Sequence, residues 1–384
     1  MNEDKATRYQ RLKRRTAVAS LASTGLLLVV LVLTSGSSWL RSVAQSAALF
    51  VPGGASATAV VLLYVIALIA ITEVASLPAA YYSGFVLETR YGLSQQLRVA
   101  WFRDQLKSLV LKGLMTTTSA AIVYPLIRWF PIAWWLPAGA MVSTLIIVLT
   151  ALAPVVLLPL FYRLKPLSRE SLRVRLLSMA DRAGAQVLDV YEWGLGDKTR
   201  KANAALTGLW KSRRILVSDT MLADYSDEEI EVVLAHEIAH HAHGDIWKGL
   251  LLESAVIFAG LFVASRALAR VVQPLALDGP SDVAGLPVIA LSVGVVSLMA
   301  IPVALAISRS NERRADREAL WLTRNPTAFI SAIRRLGSQN LAESHPSRFV
   351  QWLFHSHPPV PDRIAAAEAF NARDHLVGSM TRAM

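Results

Sequence analysis

Six long apolar runs divide this chain, at roughly 16–35, 58–80, 109–128, 134–162, 247–268 and 285–308. A helix needs about 20 apolar residues to cross a hydrocarbon core about 30 Å thick, and each run is that long. Backbone groups inside lipid must be satisfied within their own segment, so such runs fold as spanning helices. The mean hydropathy of +0.42, with 54% hydrophobic and 17% charged residues, is too apolar for an ordinary soluble domain. Glu253 and Arg266 interrupt the fifth run. The first could instead be a signal peptide cleaved among the small residues Ala44 to Ala48. Its apolar core is long for that role and further spans follow, so it reads as an uncleaved helix.

Charge sets the expected orientation. The net charge of +11 follows the positive-inside pattern and is not a nucleic-acid footprint. Lys5, Arg8, Arg11, Lys13, Arg14 and Arg15 crowd the N-terminus, whereas the loop from 36 to 57 carries only Arg41. Residues 163–246 are again basic, while 274–284 holds Asp278 and Asp282 and no base. Six spans then put both termini and 163–246 in the cytoplasm, in a multi-pass protein of an inner or plasma membrane. The chain has no cysteine, so any metal must be held by nitrogen and oxygen.

Residues 236–240 read His-Glu-Ile-Ala-His. On a helix, His236 and His240 lie one above the other and can share a zinc ion, while Glu237 can take a proton from an attacking water. The plain alternative is a His-rich polar face, since His241 and His243 follow. Ser226 with Glu229 makes a capping box that opens this helix near Asp227. Catalytic zinc takes three protein ligands, and Glu312, just past the sixth span, is the best third candidate. Asp316, four residues on, can hydrogen-bond a ligand imidazole from behind. Taken alone, Glu312 and Asp316 would read as a solvated face pairing with Arg313 and Arg317.

Elsewhere, Leu167 to Ala183 has helical spacing behind a Ser168 cap, and Val187–Trp193, Asn203–Trp210 and Arg214–Val217 read as strands. The sixth span continues past Ser308 as a polar helix, with further helices at Thr327–Leu336 and from Pro361 through Phe370. Within the spans, Lys112 reads as snorkelling to the interface, and Glu73 and Glu253 as facing a water-filled interior. Trp129-Phe130 and Trp134-Trp135 read as interfacial anchors around a tight outer turn.

With these motifs the chain resembles the type I CAAX prenyl endopeptidases and the related HtpX heat-shock membrane proteases. The likeness rests on 77–94 (Pro78, Glu88 and Gly92 in place), 158–167, Asn203-Ala204, His236 to His240, Glu312 to Asp316 and 357–364. It implies a mainly α, polytopic helical membrane protein with a gluzincin-type zinc protease domain containing a small β-sheet. Residues 1–162 would form a membrane region of four spans, and 163–384 the protease domain with two further spans at about 247–268 and 285–308. It also implies that one Zn2+ per chain is bound by His236, His240 and Glu312, with Glu237 as general base. Asn203 and His357 would contact the substrate backbone or the developing oxyanion, and Arg363 would support His357. Asp316 and Asp245 would stand behind the ligands, and Asp245, nine residues after His236, is closer to the HtpX pattern. Without the likeness, His357 would read as a helix-start histidine beside prolines. The prenyl enzymes have seven spans and this chain six, which leaves the hydrolytic chemistry untouched and keeps a prenyl-specific CAAX endopeptidase as the alternative reading. Expected partners are a peptide or membrane-protein substrate and the lipid bilayer, with no nucleic acid. A signal receptor with one regulated cleavage would need a larger outer domain, and a zinc-free scaffold would have no use for Glu237.

Overall fold

The computed structural model describes residues 4–51, 56–209 and 212–382. In chain order it contains α1 (Lys5–Leu33), α2 (Gly36–Ala48), α3 (Ala57–Tyr81), α4 (Leu87–Arg90), α5 (Arg98–Trp129), α6 (Trp135–Leu152) and α7 (Leu158–Phe161). A mixed region follows: β1 (Leu164–Pro166), α8 (Glu170–Arg182), β2 (Val190–Trp193), β3 (Ala204–Thr207), β4 (Arg214–Ser218), α9 (Asp219–Asp224) and α10 (Asp227–Ala242). Then come α11 (Asp245–Val271), α12 (Leu286–Thr323), α13 (Pro326–Gln339), α14 (Arg348–Phe354) and α15 (Val360–Arg382). Single π-helical turns, Tyr82–Val86 and Ala153–Leu157, join α3 to α4 and α6 to α7.

Among the described residues, six helical segments are long and apolar enough to cross a membrane, and each contains or closely overlaps one of the six apolar runs. The protein is a multi-pass integral membrane protein. The bundle core holds Tyr64, Tyr124 and Trp134, each at most 2% exposed. Ser37 there is paired, as burial demands: its Oγ donates to Ala284 O (2.5 Å) and lies 2.6 Å from the Tyr64 hydroxyl. Close helix approach is bought with small residues. A Cβ on Gly260 of α11 would sit 3.1 Å from the Val293 Cα of α12.

At 38 residues, α12 is about 57 Å long, nearly twice the hydrocarbon thickness. Its far end therefore leaves the membrane and enters the second core, built from α8, the sheet, α10, α13 and α15. The sheet order is β1-β2-β4-β3, with β2 and β4 parallel and the outer pairs antiparallel. That leaves β3 as an edge strand, with Ala204 opposite Val217.

Several expectations are corrected here. Ser168 caps nothing: Leu167 N bonds Val190 O (3.0 Å), which keeps the chain extended, and the helix begins only at Glu170 behind Arg169. The segment between the first two spans contains α2, whose Arg41 pairs with Asp278 and Asp282. Lys112 does not snorkel alone. It meets Glu73 at 2.9 Å, and Gln105 donates to the other Glu73 oxygen (2.8 Å), so Glu73 faces a polar seam between α3 and α5 rather than open water. Pairing removes most of the cost of a lone charge in lipid. Trp134 is 1% exposed and belongs to the core, whereas Trp129 is 71% exposed. Trp210, the expected end of the β3 segment, lies outside the described residues.

The α11–α12 contact yields a stability test. Gly260→Leu should lower the melting temperature in detergent, by an amount equivalent to about 1–3 kcal/mol of overpacking. Gly249→Ala, where an added Cβ meets nothing within 4 Å, should be neutral or stabilising. Equal melting of Gly260→Leu and the parent would show that the helices do not pack this closely.

Candidate active site

Helix α10 begins with the expected capping box: Ser226 Oγ accepts from Glu229 N (3.2 Å), and Glu229 Oε2 accepts from Ser226 N (2.9 Å). Glu229 is buried, and its other oxygen accepts from Ser331 Oγ of α13 (2.6 Å). The helix is thus fixed at its start and delivers His236, Glu237 and His240 in its last two turns. Gly244, at φ 64°, reverses the chain directly into α11, a conformation in which a Cβ is disfavoured. Asp245 therefore lands beside the helix that precedes it.

Glu312 arrives from α12 and meets both imidazoles. His236 Nε2 lies 3.2 Å from Glu312 Oε2, His240 Nε2 lies 3.2 Å from Oε1, and the two Nε2 atoms are 3.1 Å apart. Tetrahedral zinc with bonds of about 2.0–2.1 Å holds its ligand atoms about 3.3 Å apart, so this triangle fits such an ion closely. No other group of three His, Asp or Glu side chains among the described residues converges in this way. The remaining ring nitrogens face carboxylates. His236 Nδ1 is 2.9 Å from Asp316 Oδ1, and His240 Nδ1 is 2.9 Å from Asp245 Oδ2. That arrangement turns each Nε2 lone pair toward the centre.

The electrostatics favour a cation. Burial alone would lower the His236 pKa, but Asp316 and Glu312 raise it, to about 9. His240 is raised likewise against its burial, chiefly by Glu312. Glu237 lines the same cavity as His236, and burial raises its carboxyl above the usual range, with the imidazoles opposing.

The other expected residues gather here too. Asn203 stands just before β3, with its N–H donated to Ser218 Oγ (3.0 Å). His357, its side chain 59% exposed, brings Nδ1 to 2.7 Å from Glu312 Oε2. Arg363 makes its two hydrogen bonds to Asp316 (2.8 and 2.5 Å) rather than to His357, so it acts on the carboxylate behind His236. Asn203, His236, Glu237, His357 and Arg363 all line one cavity of about 500 Å³.

One wall of this cavity and the ion cluster that adjoins it through Lys13 are not expected from the sequence motifs. Gln10, Lys13, Arg14 and Ala17 of α1 form one wall, held by Gln10 on Leu341 O (2.8 Å) and Arg14 on Glu343 (2.5 Å). Glu88 gathers Tyr9 (2.5 Å), Lys13 (3.2 Å) and Lys201 (2.8 Å), which ties α1 to the segment entering β3. In the sequence, the N-terminal basic cluster speaks only to orientation. The signal for its second role was the buried Glu88, which needs a cation from somewhere. Arg314, on Asp245 (2.5 Å), was also unforeseen.

The chain is similar to known proteins along most of its length. Residues 166–371 match Peptidase family M48, and residues 2–163 match the CAAX prenyl protease N-terminal region, described as five membrane helices. Four of the spans and the short α2 fall within those residues. The uncharacterized metalloprotease YhfN of Bacillus subtilis is 30% identical over 81% of this chain and 74% of its own length. A CAAX prenyl protease 1 homolog of Caenorhabditis elegans is 26% identical over 79% and 75%, and an HtpX homolog of Campylobacter concisus is 33% identical over 42% and 62%. The crystal structure of S. mikatae Ste24p shares the fold, with a TM-score of 0.82 over 94% of this chain and 87% of that one at 23% identity. With more than half of its length matched by one family, the chain belongs to Peptidase family M48 and is a membrane-spanning metalloprotease.

Proposed function

We propose that the protein is a zinc-dependent endopeptidase that cuts membrane-associated or hydrophobic polypeptides at the cytoplasmic face of its membrane. The observation that carries this reading is the 3.1–3.2 Å triangle of His236, His240 and Glu312 beside Glu237 and an edge strand. These three side chains would hold one zinc ion, which when bound supplies a Lewis acid for the scissile carbonyl and lowers the pKa of water. Residues 1–162 would act as the membrane region and 163–384 as the protease unit.

The chain's own groups do the rest. The outer edge of β3 offers N–H and C=O groups that can pair with an extended peptide. Asn203, next to that edge, and His357 line the same cavity, and in this reading they would donate to oxygens of the substrate backbone. His357 would meet the negative charge that develops on the carbonyl oxygen. Glu237, with its pKa raised by burial, is suited to accept a proton from the attacking water and return it to the leaving amine. Asp316 and Asp245 fix the imidazole tautomers, and Arg363 balances the charge of buried Asp316.

A prenyl-specific reading keeps support from a second cavity. About 520 Å³ opens between α11 and α12, walled by Leu252, Val256, Ile301 and Ala304, and it reaches His240. Glu253, expected to face water, lies on its wall. An apolar chain attached to the substrate would fit there. We favour partitioning over recognition, because the β3 edge reads backbone and needs no lipid.

Three measurements test these readings. Glu312→Ala should lose its zinc on elemental analysis, while Glu237→Gln keeps zinc and fold and loses at least about 10²-fold in peptide cleavage. Full zinc in the first variant, or activity within about tenfold in the second, would reassign the residues. For orientation, a cysteine at Ser171 should resist an impermeant thiol reagent in intact cells and one at Gln273 should react; the reverse would place the site outside. For substrate, matched peptides with and without a prenyl group should both be cut at saturation in detergent. An unprenylated peptide that is never cut would establish lipid recognition.

A further inference from the structure

Away from the active site, a small cavity of about 260 Å³ sits where two spans leave the membrane on the protease side. Arg103 and Lys107 of α5 form one wall, Arg163 just past α7 another, and Lys198 of the protease part a third. Asp197 is the acid among the lining residues. Nearby Asp104 is already engaged by Lys198 (2.6 Å) and Gln96 (2.8 Å). Counting both acids, four cations face two anions. Lys107 donates to Leu160 O (2.9 Å), and Lys198 lies 4.6 Å from the centre of the Tyr162 ring. Arg103 and Arg163 are exposed, and neither guanidinium has a partner among the described residues. The site thus carries two uncommitted guanidinium groups, the donors best suited to a phosphate.

Its position selects the source of that phosphate. The fourth span ends at Phe161, and the apolar part of the third begins just beyond Lys107, so the cavity lies at headgroup level. Arg103, Lys107, Val110 and Leu114 recur at intervals of four, three and four residues, one face of α5. Val110 and Leu114 are 63% and 64% exposed, as a surface against acyl chains would be, and Val156 and Leu160 on the neighbouring span are 55% and 45% exposed. Cations above and an apolar stripe below match one phospholipid molecule. A free phosphate would use only the upper half.

The geometry points to a specific site for an anionic phospholipid at the junction of α5, α7 and the loop carrying Lys198, with Arg103 and Arg163 holding the phosphate. The same loop bonds to the segment after α4 (Ser94 Oγ to Lys198 O, 2.6 Å) and leads through Lys201 to Asn203. The lipid would therefore also brace the approach to β3.

The test uses the full chain in phosphatidylcholine nanodiscs titrated with phosphatidylglycerol, with bound lipid counted by native mass spectrometry. The parent should retain one phosphatidylglycerol per chain. Each near-surface cation contributes roughly fivefold in affinity, so Arg103→Gln with Arg163→Gln should weaken binding about 25-fold at unchanged melting temperature. The control pair Arg90→Gln with Arg98→Gln removes equal charge from exposed positions outside the cavity and should leave the retained lipid in place. Equal loss in both pairs would reduce the effect to general surface charge. Equal retention of phosphatidylcholine, or displacement by excess inorganic phosphate, would also overturn the assignment.

Discussion

One carboxylate organises this protein. Glu312 sits on α12 beyond that helix's apolar run, and it faces two imidazoles delivered by a separate helix. Groups this buried are costly unless every charge is met, and breaking such a cluster by removing one member typically costs about 3–5 kcal/mol. The surroundings follow from that demand. Asp316 and Asp245 answer the outer ring nitrogens, Arg363 answers Asp316, and Arg314 answers Asp245. The capping box, the Ser331–Glu229 contact and the left-handed Gly244 fix where α10 begins and ends, and so where its imidazoles stand.

Because Glu312 belongs to α12, the catalytic geometry is coupled to the membrane bundle. α12 packs against α11 through Gly260, and α11 packs against α6 through Gly139, where an added Cβ would meet the Phe258 ring at 2.7 Å. The coupling runs the other way through α1, whose first turns wall the active-site cavity and whose remainder lies in the bundle. The membrane region thus contributes part of the substrate cavity. The Glu88 cluster links α1, the segment after α3 and Lys201, so the edge strand is placed partly by residues of the first two spans.

Local signals were legible in the sequence. Apolar runs of spanning length, the four-residue spacing of His236 and His240, and the Ser226–Glu229 box each express one element's own physics, and all three stand in the fold. Glu312 and Asp316 were legible because a catalytic metal needs a third oxygen or nitrogen ligand. What stayed hidden depends on partners far apart in sequence. Glu73 with Lys112 is 39 residues apart, Glu88 with Lys201 is 113, and Arg14 with Glu343 is 329. The Ser168 cap failed for the same reason, since β1 pairs with a strand more than twenty residues on and holds its end extended. Trp134 looked like an interfacial anchor until the packing of neighbouring spans enclosed it.

If one zinc ion joins α12 to α10, diffraction from zinc-loaded crystals recorded at the zinc absorption edge will locate it. A single anomalous peak about 2.0–2.2 Å from His236 Nε2, His240 Nε2 and a Glu312 oxygen is the expected result. A peak that leaves out Glu312, or one centred on other residues, would contradict the account.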